Sequence, residues 1–317
     1  MLVVDPDSER QLLEELLMSE DVYGFRYSRG LDLTNVHTTS DREKAEFWGD
    51  RMIRRSGQLA YPLTAYAFLL DNRPDMLKYH MRQMQFLHAV PANGEIPMSV
   101  TTLTMLHWYA CNRVPGGVLH EVMACQESGA SKDQVNEIFG LAFMHSGPSG
   151  FHEVYHQAFD YMHSYQPSGN TLIWPKGWEP DPAAFKSGLD FDNPVLTAAE
   201  RKMLDEWYVN TIGYVPESIG MLTEFNPSFV KQHRGKFEGA LATGTLPKQI
   251  VPYILIHYNM NRGFRDGIRE ATLLGKSWGL TRDQVICAIT LGTGYMAGMD
   301  GMYIVKEAIG ELLDSWE

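Results

Sequence analysis

The segment from Gly94 to Val135 is written a second time, from Gly244 to Val285, at a constant separation of 150 residues. In register and without a gap, Gly94 pairs with Gly244, Pro97 with Pro247, His107 with His257, Gly117 with Gly267 and Gly129 with Gly279; Asp133-Gln134-Val135 returns as Asp283-Gln284-Val285. Residues of similar type fill many places between, such as Ile96 and Leu246, Val100 and Ile250, Trp108 and Tyr258, Val118 and Ile268, and Ser131 and Thr281. Upstream, Pro74, Lys78 and His80 recur as Pro227, Lys231 and His233; downstream, Gly147 and Gly150 recur as Gly298 and Gly301. So long a match in one register marks an internal duplication. Each copy is roughly 120 residues, larger than a solenoid unit and close to a small domain. The 317 residues, 44% of them apolar, hold enough material for two cores of ordinary size.

Local signals make both copies helical. Ser40 to Glu43 is a capping box opening a helix to about Arg55, and further helices are expected over 61–70 and 74–88. Val100 to Asn112 is apolar except for His107, the composition of a helix buried on most sides. Pro115-Gly116-Gly117 opens the next helix, which ends at Gly129; Ser131-x-x-Gln134 then restarts the chain, and Thr281-x-x-Gln284 repeats that device. Alternation of period two is scarce, so the expected fold is all-α: two tandem helical domains related by internal pseudo-symmetry. The divisions are an N-terminal helix and irregular arm (1–39), repeat one (40–164), an ordered Pro- and Trp-rich connector packed on the surface (165–195) and repeat two (196–317).

Formal charge is −12, without a cluster of Lys and Arg interleaved with aromatics, so a nucleic-acid partner is excluded. No run approaches the ~20 apolar residues of a bilayer span, and the N-terminus lacks the order of a signal peptide; a cytoplasmic protein without membrane partners is expected. Cys111, Cys125 and Cys287 form no CxxC or metal spacing and read as reduced, packed thiols. Seventeen methionines and 36 aromatics provide large apolar contacts, and a homo-oligomer is expected.

The order G-x-[IL]-P, apolar helix, short break, helix ending in Gly, then [ST]-x-[DE]-Q-V resembles the carboxymuconolactone decarboxylase and alkylhydroperoxidase D-like superfamily, over nearly the whole chain apart from the arm and the connector. The resemblance implies an all-α fold of modules that assemble as trimers or hexamers, two of them supplied here by one chain. The departures are chemical. Peroxidase-type members carry C-x-x-C-x-x-x-H; the matching places hold Val114, Gly117 and Glu121 in copy one, and Phe264, Gly267 and Ala271 in copy two. Without a thiolate and a resolving thiol, peroxide reduction is not expected. Ser99 and Gln249 stand where many members have a proton-relaying Glu.

Several residues could carry chemistry. His107 and His257 occupy one position in both copies, either as acid/base groups facing a pocket or as hydrogen-bonded core histidines. His80 and His233 sit beside Lys78 and Lys231 and read as surface or inter-helix contacts. His120 and Glu121 form an acid/base pair or a solvated helix face. Arg265 and Arg269 could clamp a carboxylate, with Tyr258 and Trp108 against the substrate, or belong to a charge-laced face with Asp266 and Glu270. His152-Glu153-x-x-His156 spells HExxH, which on a helix can place two imidazoles for zinc; a zinc hydrolase is one alternative and a silent helical scaffold or ligand-binding protein another. The favoured expectation is an acid/base enzyme without metal or other cofactor, acting on a small, aromatic-derived carboxylic acid or lactone by decarboxylation, ring opening or isomerisation.

Overall fold

The computed structural model describes residues 96–316, together with Leu69, Asn72, Arg73, Met76 and Gln83. The expected N-terminal helix and arm, the capping box at Ser40 and the helix it opens lie outside the described residues, as does His80; of the segments 61–70 and 74–88, Leu69, Met76 and Gln83 are described, each helical. Among the described residues the fold is all-α, with no strand and a single isolated bridge between Pro180 and Pro247. No helix of this part is long and apolar enough to cross a membrane.

Three helices build the first half: α1 (Met98–Cys111), α2 (Pro115–Glu127) and α3 (Lys132–His163). α1 is buried along almost its whole length, so its polar side chains must be satisfied internally. The hydroxyls of Thr102 and Thr104 donate to the carbonyls of Ser99 and Val100 at 2.9 and 2.7 Å. Pro115 starts α2, where its missing N–H costs nothing. Gly129, at φ +88°, ends it, and a Cβ there would lie 2.3 Å from the Asn170 carbonyl oxygen. The Ser131/Gln134 capping box opens α3, which bends where Gly147 leaves helical geometry (φ 66°, ψ −174°) ahead of Pro148.

Past the connector, a Thr197/Glu200 capping box starts α4 (Ala198–Ile212), followed by α5 (Glu217–Phe225) and α6 (Pro227–Ala240). Lys231 of α6 is fully buried, not at the surface: its ammonium reaches Glu200 at 2.6 Å and the Val195 carbonyl at 2.9 Å. Then α7 (Ile250–Asn261), α8 (Arg265–Ser277), α9 (Arg282–Gly292), a π-helical turn (Thr293–Ala297) and α10 (Gly301–Asp314) complete the chain. The local devices recur where the duplication places them. α2 and α8 begin and end 150 residues apart. Gly279 repeats the +88° of Gly129, Thr281/Gln284 forms the same capping box, and Gly298 (φ 60°, ψ −173°) breaks the last helix pair as Gly147 does α3.

Buried side chains of both halves form one continuous cluster, and the connector enters it. Trp178 and Phe185 are 4% and 2% exposed, and the Trp178 indole donates to Gln284. The connector thus runs over the surface with most of its residues exposed and is pinned to the core by a few aromatic side chains, whose burial removes apolar area from water.

Glu137 of α3 fastens the halves together. Its carboxylate, 2% exposed, accepts hydrogen bonds from the N–H groups of Gly244, Thr245 and Leu246 and from the hydroxyls of Thr243 and Thr245. These are the loop amides leading into α7, and a buried carboxylate with this many donors is anchored strongly. Glu137→Ala is expected to cost about 3 kcal/mol, because several buried N–H groups lose their acceptor. Urea unfolding measures it; a loss below about 1 kcal/mol would mean that the loop is held by other contacts.

Candidate active site

The two duplicated histidines lie deep. His107 and His257 are both fully buried, each on the inward side of an apolar helix. His107 Nε2 is 2.9 Å from Nδ1 of His145 on α3, and the Cys111 thiol, one turn further along α1, lies 3.6 Å from His107 Nε2. His257 meets the residue that replaces that thiol in the second copy: its Nε2 is 3.3 Å from the Asn261 amide nitrogen, and its Nδ1 has no hydrogen-bond partner.

Tyr258 bridges the halves. Its ring meets His107 edge-on at 5.2 Å and lies tilted against His145 at 4.9 Å, while its hydroxyl accepts from Arg262 at 2.6 Å. The imidazoles are therefore held from two sides. Burial lowers the pKa of His107 well below the usual imidazole value, and the neighbouring His145 and His257 add to this. His145 falls to about 4 through burial and the fields of Arg262 and His233; His257 falls to about 3 through burial. All three are neutral at pH 7. Burial pushes the Cys111 thiol up to about 12, against the pull of Arg262.

His145 also lines a cavity of about 360 Å³ bounded by α4 to α8. Apolar walls from Leu204, Trp207, Ile212, Phe237 and Leu255 surround a few polar groups: His145, His233, Arg234, Asn259 and Glu270. Apolar walls with a few convergent polar groups make this cavity the candidate site. Burial lowers the pKa of His233, helped by Lys236 and Arg234; burial raises that of Glu270, with Asp266 adding to it. Arg234 is committed elsewhere, donating to Glu238 at 2.9 Å and to the Phe185 carbonyl, with its guanidinium 3.8 Å from the Trp207 ring centroid.

The structure sorts the sequence candidates. His107 and Tyr258 come together, and His257 lies one helical turn before Asn261 in the same interior. Trp108 is partly buried and packs edge-on against Tyr109 at 5.3 Å, away from the cavity walls. His120 and Glu121 are 9% and 8% exposed, so the solvated-face alternative for them does not hold. Arg265 is exposed, about 4 Å from Asp266 and Glu307, and Arg269 donates to the Ala308 carbonyl; neither lines the cavity. His152 and His156 face solvent with their Nε2 atoms 3.2 Å apart, and among the described residues no third ligand joins them. The donor atoms that do gather, within 4.8 Å of one another, belong to His107, Cys111 and His145.

His145 has no local sequence signal, since only the packing of α3 on α1 brings it to His107. Cys111 does have one: four residues after His107, it shares that residue's helix face. Glu270 and His233 are visible as residues, but their place at a common cavity depends on three helices meeting.

His257 gives a pH test. With its folded pKa at about 3 against 6.5 for the free imidazole, the unfolded chain binds the extra proton between those values. Stability contributed by the neutral ring is present above pH 6.5 and is lost as pH falls towards 3. Thermal melting is expected to drop between pH 7 and 5, with a smaller drop in His257→Gln; an equal slope in both would assign the loss to other groups. Comparison of the chain with protein-family models, curated proteins and solved structures gave no match.

Proposed function

We propose that this chain is an acid/base enzyme acting on a small, largely apolar carboxylic acid or lactone, a distant relative of the carboxymuconolactone decarboxylase-like proteins. The observation that carries the proposal is the apolar cavity with a raised carboxyl, Glu270, and a neutral imidazole, His233, in its wall. Burial favours the neutral form of both groups, so Glu270 keeps its proton to higher pH than a free carboxyl and His233 stays an unprotonated acceptor to lower pH than a free imidazole. Glu270 gives a proton to the leaving or carbonyl oxygen, and His233 removes one from carbon or water. Trp207, Phe237 and Phe264 line the cavity with aromatic surface that suits an aromatic-derived substrate. Arg234 lines the wall with its charge already paired to Glu238, and Arg265 and Arg269, which the sequence offered as a carboxylate clamp, lie off the cavity. Proton transfer, decarboxylation and lactone opening need no redox centre, in keeping with the absence of paired thiols.

Purified protein is to be assayed against β-keto acids, muconate-type acids and aromatic lactones for CO₂ release and ring opening. Glu270→Gln and His233→Asn are each expected to lower kcat by about 10²–10⁴-fold with little change in melting temperature. Turnover unaffected by both substitutions, or none with any of these substrates, would overturn the proposal.

A further inference from the structure

The duplication makes an asymmetry visible. At matched places on α1 and α7 the chain has His107 with Cys111 and His257 with Asn261. The second pair is closed by a contact between amide and imidazole. The first pair is joined by a second imidazole from α3, so that two nitrogens and a sulfur converge: His107 Nε2 to His145 Nδ1 at 2.9 Å and to Cys111 Sγ at 3.6 Å. A tetrahedral zinc ion with bonds of about 2.05 Å to nitrogen and 2.3 Å to sulfur separates its ligands by roughly 3.3 Å for N···N and 3.6 Å for N···S. The sulfur is already at that separation from His107 Nε2, and the three donor atoms all lie within 4.8 Å of one another. The two rings need to part by about 0.4 Å, less than a rotamer change.

We infer that His107, Cys111 and His145 form a metal site for a thiophilic divalent cation of the zinc class, with three protein ligands and a fourth position for water or substrate. Tyr258 packs on both imidazoles and so fixes the orientation of two ligands in advance. Binding replaces the S–H bond of Cys111 with a sulfur–metal bond and releases that proton to solvent, with no change of oxidation state. Of the three residues, His145 alone also lines the cavity. The other two cysteines are not part of the site: Cys125 and Cys287 are wholly buried in the core. The site departs from the sequence expectation of no metal and places zinc away from the HExxH stretch. It holds whether or not the cavity turns over a carboxylate, since metal is read directly.

The test uses the full chain, free of any polyhistidine tag, stripped with a chelator and titrated with Zn²⁺ and with Co²⁺. One equivalent of each is expected to bind per chain, and the cobalt form is expected to show a thiolate-to-cobalt charge-transfer band. X-ray absorption of the zinc form is expected to give one sulfur and two imidazole nitrogens in the first shell. That measurement needs no variant and so does not depend on one folding. Cys111→Ser is expected to abolish the charge-transfer band and, with His145→Gln, to weaken zinc binding about 100-fold or more, while the double variant His152→Gln/His156→Gln leaves it unchanged. Absence of stoichiometric binding, a first shell without sulfur, or binding lost only in the His152/His156 variant would overturn the assignment.

Discussion

The Glu137 carboxylate is the contact on which the geometry of the interior depends. It lies in the first half, yet its acceptors are filled by the loop from Thr243 to Leu246, which delivers α7 into the core. Because α7 carries His257 and Tyr258, that loop sets how the second half meets His107 and His145. A buried carboxylate tolerates little movement of its donors, since each lost hydrogen bond exposes an uncompensated charge to low dielectric. A cavity wall built from both halves keeps its shape only if such a joint is stiff.

Around that joint the interior holds polar groups that water would otherwise solvate. Three imidazoles lie in largely apolar surroundings, and the protein resolves the cost by keeping them uncharged, with their pKa values depressed by burial. The buried cations Lys231 and Arg234 are paired at close range with Glu200 and Glu238. Neutral imidazoles retain a free lone pair, which can accept a proton or bind a cation.

Much of the helical plan was legible in the sequence because it rests on local signals. Capping boxes at Ser131 and Thr281, the left-handed glycines 129 and 279 and the break at Gly147 all sit where the repeat places them, since turn and cap chemistry is decided within four or five residues. Tertiary facts were less accessible. His233 reads from sequence as a surface or inter-helix contact beside Lys231, and only the packing shows that Lys231 itself is buried against Glu200. The Arg265 to Glu270 turn reads as one charged face, yet Glu270 points to the cavity while Arg265 stands in solvent, a division set by the packing of α8 on its neighbours. His145 has no neighbour in sequence to betray it. The HExxH letters were conspicuous and the His107/Cys111 spacing was not, although the latter gathers a third ligand atom.

Native-state hydrogen exchange at Gly244, Thr245 and Leu246 tests most directly whether this joint organises the interior. If Glu137 holds both halves as one unit, these amides exchange only through global unfolding, with the same free energy as core amides of α1 and α7 such as Leu106 and Ile254. Exchange at a free energy several kcal/mol lower would show that the loop opens independently, and the joint could not be what fixes the site.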